Sequence, residues 1–268
     1  SIVSASSNIT QRPLNLSGSR AYDATRTASG SDLSFTNIVS GETLGLTGSG
    51  VLDSPAAGSR TIVNTNTLAI SDGSGIASNY TLTNGTLTMT IVPRPTTVSG
   101  TKTYDGTTNV ASSNLTSFSN LAGSDTLSLS GTGTISSADV GNGKTVNTSG
   151  LTIDNSSGVG SNYTLSAATV NVTERVIGLS GVRAFDGTNN ASSADLSISN
   201  LVSGENLTLS GSGTLPNATV EMNKAITLGS LSISDGSGGK SSNYTLTGGS
   251  HTLDISQLSV NVTGSRQY

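Results

Sequence analysis

The chain has 268 residues, of which 32% are apolar and only 10% are charged, and its formal net charge is -4. This composition excludes the disordered profile, in which low hydrophobicity is combined with high net charge. Thiol chemistry and disulfides are excluded by the absence of cysteine, and basic residues scattered singly give no reason to expect a nucleic-acid partner.

In chain order, the first motif is SGSRAYDATRT, around Tyr22. It returns as SGTKTYDGTTN around Tyr104, as SGVRAFDGTNN around Phe185 and as TGSRQY at Tyr268, at spacings of 82, 81 and 83 residues. A period near 80 residues predicts tandem small domains, because one solenoid unit has only about 20–45 residues. We assign repeats to residues 13–94, 95–175 and 176–257, with the end of an upstream repeat at 1–12 and the start of a next repeat at 258–268.

Two further columns contain the remaining aromatic residues. The segment SNYTL recurs in every repeat, and a phenylalanine column lies in register with Ile198. A domain of about 80 residues buries only about 60–65% of its unfolded surface, so it must concentrate large apolar groups in its core. We expect core anchors, with tyrosine hydroxyls bonded to backbone partners, at Tyr22, Tyr104, Phe185, Tyr80, Tyr163, Tyr244, Phe35 and Phe118.

Between these columns, apolar and small polar residues alternate with a period of two, as in TLGLT at 43–47 and TLSLS at 126–130. Such alternation predicts strands with one face on a core and one in water. With about six to eight short strands per repeat, the chain is predicted to be all-β, with three immunoglobulin-like β-sandwiches in an elongated rod. The alternative is a β-grasp-like unit with one short helix near ASSADLSISN, at 191–200.

The acidic residues also fall into columns, namely Asp23, Asp105, Asp186; Glu42, Asp125, Glu205; and Asp72, Asp154, Asp235. Triplicated carboxylates would require three copies of one active site, so we expect turn capping and no catalytic residues, and the chain is not predicted to be an enzyme. The lysine and arginine columns are expected to supply charge partners for neighbouring carboxylates. The single histidine, His251, is expected to be exposed.

Calcium is the one cofactor that the loops suggest. SDGSG at 71–75, DNSSG at 154–158 and SDGSG at 234–238 are similar to the start of a calcium loop, which makes Asp72, Asp154 and Asp235 candidate ligands. None of them continues with the full spacing or a distal glutamate. Metal binding is therefore not the expected role, and no other cofactor is predicted.

The motifs KTYDGTT (102–108), GTGTI (131–135), GNGKTV (141–146) and SNYTL (161–165) recur in order in the other repeats. Together they resemble the YDG and MBG ("mostly bacterial Ig") repeats of large bacterial surface proteins. The resemblance covers nearly the whole chain, with departures such as Ala24 in place of glycine. Such repeats occur in filamentous-haemagglutinin-like adhesins exported by two-partner secretion, which implies a secreted or cell-surface location.

These observations favour a structural stalk or spacer that projects an adhesive region from a bacterial cell. The alternative is an adhesion module whose repeats themselves bind carbohydrate or matrix, as host or biofilm glycan. The expected partners are neighbouring repeats of the same chain, and the fragment is expected to be monomeric. No apolar run approaches the roughly 20 residues of a membrane helix, so membrane insertion is not expected.

Overall fold

The computed structural model describes residues 8–266, and they form strands joined by turns and single-turn 3-10 helices, with no α-helix among them. The prediction of all-β repeats is confirmed. Within this described range, no helix has the length and apolar character needed to cross a membrane.

The strands are short and follow the repeat period. The first repeat contains β1 Arg12–Pro13, β2 Leu16–Ala21, β3 Thr27–Ser29, β4 Leu33–Phe35, β5 Leu44–Thr47, β6 Ser49–Leu52, β7 Gly58–Asn64, β8 Ala69–Asp72, β9 Tyr80–Thr81 and β10 Thr88–Val92. The second contains β11 Arg94–Thr103, β12 Asn109–Ala111, β13 Leu115–Ser119, β14 Leu127–Thr134, β15 Gly141–Thr145, β16 Leu151–Asn155 and β17 Tyr163–Thr173. The third contains β18 Arg175–Val176, β19 Gly178–Ala184, β20 Asn190–Ser192, β21 Leu196–Ser199, β22 Leu207–Ser210, β23 Ser212–Thr214, β24 Glu221–Ala225, β25 Ser232–Asp235, β26 Tyr244–Thr245 and β27 His251–Ser256.

The 3-10 helices also recur at fixed places in the repeats. They lie at Gly30–Asp32, Ala77–Asn79, Ser112–Asn114, Gly160–Asn162, Ser193–Asp195 and Ser241–Asn243. The short helix that the β-grasp alternative places near 191–200 is thus a single 3-10 turn, Ser193–Asp195, in which the Ser192 side chain caps the backbone N–H of Ala194. A serine or threonine oxygen at this position satisfies a donor that a one-turn helix leaves open.

The opening and closing strands of the first and third repeats pair in parallel within a mixed sheet. In the first repeat the sheet has the order β4-β2-β10-β7-β6-β3, and in the third it has the order β21-β19-β27-β24. Only the pair of opening and closing strands is parallel, while the other neighbouring pairs of these two sheets are antiparallel. As a consequence, the opening and closing strands finish at the same end of the repeat.

The glycine of the SG dipeptide that precedes each motif allows this sheet to form. A Cβ built on Gly18 would lie 1.9 Å from the carbonyl oxygen of Asp32, and one built on Gly181 would lie 1.8 Å from that of Asp195. No side chain fits at such distances, so only glycine permits β2 to pair with β4 in the first repeat and β19 to pair with β21 in the third.

Contacts group the chain into two compact units that both include part of the middle repeat. Within the described range, the first unit contains residues 8–99, 115–132 and 148–168, and the second contains 100–114, 133–147 and 169–266. The first unit joins the first repeat to about half of the second, and the second unit joins the other half to the third repeat. Each unit therefore contains one place where consecutive repeats meet.

The core of the first unit follows the predicted alternation. Leu16, Leu52, Met89 and Ile91 are fully buried, and β10 alternates buried with exposed residues along its length. The aromatic ring of Tyr22 belongs to the same hydrophobic cluster. Burying such side chains contributes about 1.5–3 kcal/mol each, which makes this cluster the main source of stability in the unit.

Candidate functional site: the tyrosine–carboxylate junction

The aromatic residue of the Tyr-Asp-Gly motif lies at the end of the opening strand, where its backbone is hydrogen-bonded to the end of the closing strand. The backbone N–H of Tyr22 donates to the carbonyl oxygen of Val92 at 2.9 Å, and that of Tyr104 donates to Thr173 at 2.8 Å. Because the two strands are parallel in the first repeat, this end is also the point from which the chain continues into the second repeat. The tyrosine side chain is thereby presented to the next repeat.

The Asp-Gly that follows forms a closed turn. Oδ1 of Asp105 accepts from the backbone N–H of Thr107 at 2.9 Å and lies 2.8 Å from Nζ of Lys102. Burial alone would raise the pKa of Asp105, but hydrogen bonds from Lys102 and Thr107 outweigh burial and lower it below the ordinary value. The same pairing joins Arg20 to Asp23 in the first repeat. Lysine and arginine thus serve as charge partners, as the sequence predicts.

The residue after the aspartate in this turn has a left-handed backbone conformation in all three repeats, but in the first repeat it is alanine and not glycine. Gly106 and Gly187 have φ values of 75° and 81°, and Ala24 adopts 64° in the equivalent position. An L-residue in this region costs about 1–2 kcal/mol, partly offset by the greater freedom of glycine in the unfolded chain.

We therefore expect Ala24→Gly to raise the free energy of unfolding by about 0.5–1 kcal/mol, measured by urea denaturation.

The control for this prediction is Gly187→Ala. A Cβ at Gly187 has open space around it, so this change tests backbone strain alone. It should lower stability by a similar amount. If Ala24→Gly lowers stability instead, the alanine makes a contact that outweighs its backbone strain.

At the first meeting of repeats, two tyrosines share one carboxylate. The hydroxyl of Tyr22 donates to Oδ2 of Asp125 at 3.0 Å, and the hydroxyl of Tyr163 donates to the same oxygen at 2.7 Å. The rings of the two tyrosines meet edge to face, with centroids 5.4 Å apart and planes at 76°. The Tyr163 hydroxyl also accepts from the backbone N–H of Ala122 at 3.1 Å. We call this arrangement the tyrosine–carboxylate junction.

The same junction is found where the second repeat meets the third, with glutamate in place of aspartate. The hydroxyl of Tyr104 donates to Oε1 of Glu205 at 2.6 Å, and that of Tyr244 donates to Oε2 at 2.7 Å. The rings again meet edge to face, at 5.4 Å and 79°, and the N–H of Val202 donates to Tyr244 at 3.1 Å. Buried edge-to-face pairs contribute about 0.5–1.5 kcal/mol beyond their area, and hydrogen bonds to an ionised group about 1.5–3 kcal/mol.

A buried asparagine adds a backbone contact to each junction. Oδ1 of Asn162 accepts from the N–H of Ala57 at 2.9 Å, and Oδ1 of Asn243 accepts from the N–H of Val140 at 2.9 Å. Both asparagines precede the SNYTL tyrosine and are buried. Each junction therefore joins an edge of one repeat to the next repeat by side-chain and backbone bonds.

The linker between repeats is held by an arginine. Arg94 donates from Nε to the carbonyl oxygen of Asn120 at 2.8 Å and from Nη1 to that of Tyr22 at 3.2 Å. Arg175 makes the corresponding contact with Asn200, at 2.6 Å. A planar guanidinium with several fixed donors can hold two backbone segments at once. The linker is thus part of the junction.

Burial and the shared carboxylate both disfavour the tyrosinate form. Desolvation, followed by the hydrogen bond to Asp125, raises the pKa of Tyr163 to about 12, and the pKa of Tyr104 is raised further by burial and Glu205. In the unfolded chain a tyrosine releases its proton near pH 10. The junction's contribution to stability is therefore complete below about pH 10 and is lost as the pH rises through about 12.

We accordingly expect the free energy of unfolding to fall above pH 10, by up to about 1.4 kcal/mol per pH unit for each junction tyrosine. Urea denaturation at a series of pH values measures this slope. Tyr163→Phe is the control for every other group that titrates in this range, and it should give a shallower slope. Equal slopes in the two proteins would contradict the assignment.

The structure gives a mixed result for the predicted core anchors. Five tyrosines are buried, namely Tyr22, Tyr80, Tyr104, Tyr163 and Tyr244. Phe35 and Phe118 are half-buried, and Phe35 packs against the core of the first unit. The prediction is wrong for Phe185, which is 38% exposed, because no acceptor carboxylate and second tyrosine cover it within residues 8–266. Three hydroxyls have the predicted backbone partner, since those of Tyr80, Tyr163 and Tyr244 each accept from a backbone N–H. The hydroxyls of Tyr22 and Tyr104 instead donate to side-chain carboxylates, which the sequence did not predict as partners.

The sequence analysis identified the column that contains the junction carboxylates, but it did not predict that they accept hydrogen bonds from tyrosines of two repeats. Asp125 and Glu205 stand 38 and 39 residues before the SNYTL tyrosine they contact, and Glu42 stands 38 residues before Tyr80. This constant spacing is the signal that sequence reasoning could have used. The expectation of turn capping is wrong for Asp125 and Glu205, because a residue at a turn can also face a neighbouring repeat.

The calcium candidates do not form one equivalent set. Oδ1 of Asp72 accepts from the N–H of Ala77, and Oδ1 of Asp235 accepts from that of Ser241. In the second repeat this bond is made by Asn155, next to Asp154, so the predicted column is misaligned by one residue. The amide oxygen of Asn155 accepts this hydrogen bond as the carboxylates do, so the position requires a hydrogen-bond acceptor and not a negative charge. Among the described residues, no three His, Asp or Glu side chains are grouped as a metal site requires.

His251 is half-buried, contrary to the prediction of an exposed side chain. It begins β27 and pairs with Leu179 of β19, and its Nε2 donates to the carbonyl oxygen of Leu246 at 2.8 Å. The ring therefore closes the turn before β27, which is a structural role.

A family model described as the YDG domain matches the chain three times, at residues 8–89, 86–171 and 173–252. No curated protein and no solved structure matches the chain. The three matches follow the three copies of the motif and the two junctions described above.

Proposed function

Because the chain belongs to the YDG domain family, we propose that it is a structural spacer segment of a secreted bacterial cell-surface adhesin, which projects an adhesive region from the cell. The observation that carries the proposal is the recurrence of the tyrosine–carboxylate junction wherever one repeat follows another. A spacer must keep successive domains from swinging freely. A buried junction beside a short linker has this effect.

The linkers support the same role. Val92 ends β10 and Arg94 begins β11, and likewise Thr173 ends β17 and Arg175 begins β18. One residue between strands leaves no flexible segment, since flexible linkers gain their reach from length and glycine content. The arginine contacts remove further freedom from the connection.

The carbohydrate-binding alternative requires aromatic rings that a sugar can reach. All five tyrosines within residues 8–266 are buried, and four of them are already paired ring against ring in the junctions. These rings are therefore not available for stacking on a sugar, which favours the spacer over the glycan-binding module.

Small-angle scattering from the intact chain tests the spacer. Three sandwiches of about 35–40 Å in series give a length on the order of 110 Å and a radius of gyration of about 30 Å. A compact globule of this length would have a radius of gyration of about 18 Å, and that value would contradict the proposal.

The cellular test replaces the segment, in the surface protein that carries it, with an unrelated rigid β-repeat array of equal length. We expect adhesion to be retained, and to fall when the array is shortened. Loss of adhesion at equal length, together with binding of the isolated chain on a glycan array, would assign the function to the repeats themselves.

A further inference from the structure

The first repeat carries the side of the junction that accepts a tyrosine. We call it the acceptor face, formed by Val39, Glu42, Asn79 and Tyr80. The Tyr80 hydroxyl donates to Oε2 of Glu42 at 2.5 Å and accepts from the N–H of Val39 at 3.4 Å. These are the bonds that Tyr163 makes with Asp125 and Ala122 in the filled junction. The acceptor face is thus already formed in the first repeat.

The acceptor face differs from its counterparts in exposure. Val39 is 43% exposed, whereas Ala122 at the same position of the filled junction is 4% exposed. The side chain of Asn79 is exposed, whereas Asn162 and Asn243 are buried. A cavity of about 420 Å³ opens over the face, lined by residues that include Ile9 and Arg12. In the filled first junction, the motif tyrosine Tyr22 contacts the corresponding residues, Asp125 and Tyr163.

A second observation concerns Ile9. It stands three residues before Arg12, as Ile91 and Val172 stand three residues before Arg94 and Arg175. Ile91 and Val172 are closing-strand residues with 0% and 1% exposure, whereas Ile9 is 94% exposed. Ile9 therefore has the register of a closing-strand core residue, directly beside the cavity.

We propose that the acceptor face of the first repeat binds the motif tyrosine of a further YDG repeat, whose closing strand runs through Ile9 into Arg12. That tyrosine donates its hydroxyl to Glu42 and packs its ring edge to face on Tyr80. A backbone N–H of that further repeat donates to Oδ1 of Asn79. This inference rests on the packing of tandem repeats and not on the spacer role, so either can fail without the other.

The test is an extended chain, in which a second copy of residues 8–90 is joined directly ahead of Ile9. This places Ile9 at the position of Ile91 and supplies Tyr22 of the added copy as the donor. Amide hydrogen exchange is then compared between the extended and the original chain, over residues 38–42 and 76–80. We expect exchange in these segments to slow at least tenfold in the extended chain.

Two control variants separate docking from nonspecific effects. In the added copy, Tyr22→Ala should restore the original exchange rates, and Tyr22→Phe, which keeps the ring and the fold, should give intermediate rates. Unchanged exchange in the extended chain, or slowing that persists in both variants, would overturn the proposal. Concentration-dependent association of the original chain in sedimentation, abolished by Glu42→Gln, would identify a second copy as the occupant and would also overturn it.

Discussion

Tyr104→Ala is expected to lower the free energy of unfolding of the second unit by about 3–5 kcal/mol, the cost of removing a large buried side chain. Tyr104 packs edge to face on Tyr244 and donates to Glu205 at 2.6 Å. Its removal leaves a cavity and takes one donor from a half-buried carboxylate. Thermal and urea denaturation, with a probe in each unit, measure the loss and show which unit it affects.

Two variants sharpen this test. Tyr104→Phe keeps the ring and loses only the hydrogen bond to an ionised group, so about 1.5–3 kcal/mol should be lost. Phe185→Ala removes the aromatic side chain at the equivalent position of the third repeat, where it is exposed, and should cost about 1 kcal/mol or less. Equal losses for Tyr104→Ala and Phe185→Ala would show that the junction does not contribute to stability.

Glu205→Ala is the second large effect that we expect, at about 3 kcal/mol, because two buried hydroxyls lose their acceptor together. Tyr104 and Tyr244 donate to different oxygens of this carboxylate. Glu205→Gln retains one acceptor oxygen, so its loss should be about half as large. Urea denaturation measures both variants.

The matched control for this change lies in the same chain. Glu42→Ala in the first repeat removes an acceptor from Tyr80 alone, beside an open cavity, and should cost about 1 kcal/mol. If Glu42→Ala and Glu205→Ala cost the same, the contact between repeats adds nothing to the carboxylate's role within its own repeat.

Much of the local structure could be predicted from the sequence. The alternation along β10 and the fixed turn at Asp105 depend on interactions within a few residues or between adjacent strands, so a repeated sequence pattern is sufficient to identify them. Burial of the tyrosines could also be predicted, because a small all-β repeat has few other large side chains. Exposure of Phe185 could not, because its environment depends on a different repeat.

The sequence by itself determined the period of about 80 residues, the all-β class and the columns of tyrosine, carboxylate and asparagine, since these follow from composition and recurrence. Only the tertiary structure decided that the opening and closing strands pair in parallel. That pairing brings the motif tyrosine to the end from which the chain leaves, beside the carboxylate of the following repeat. The physical reason is that strand direction and partner choice are set by long-range packing, which a local pattern does not encode.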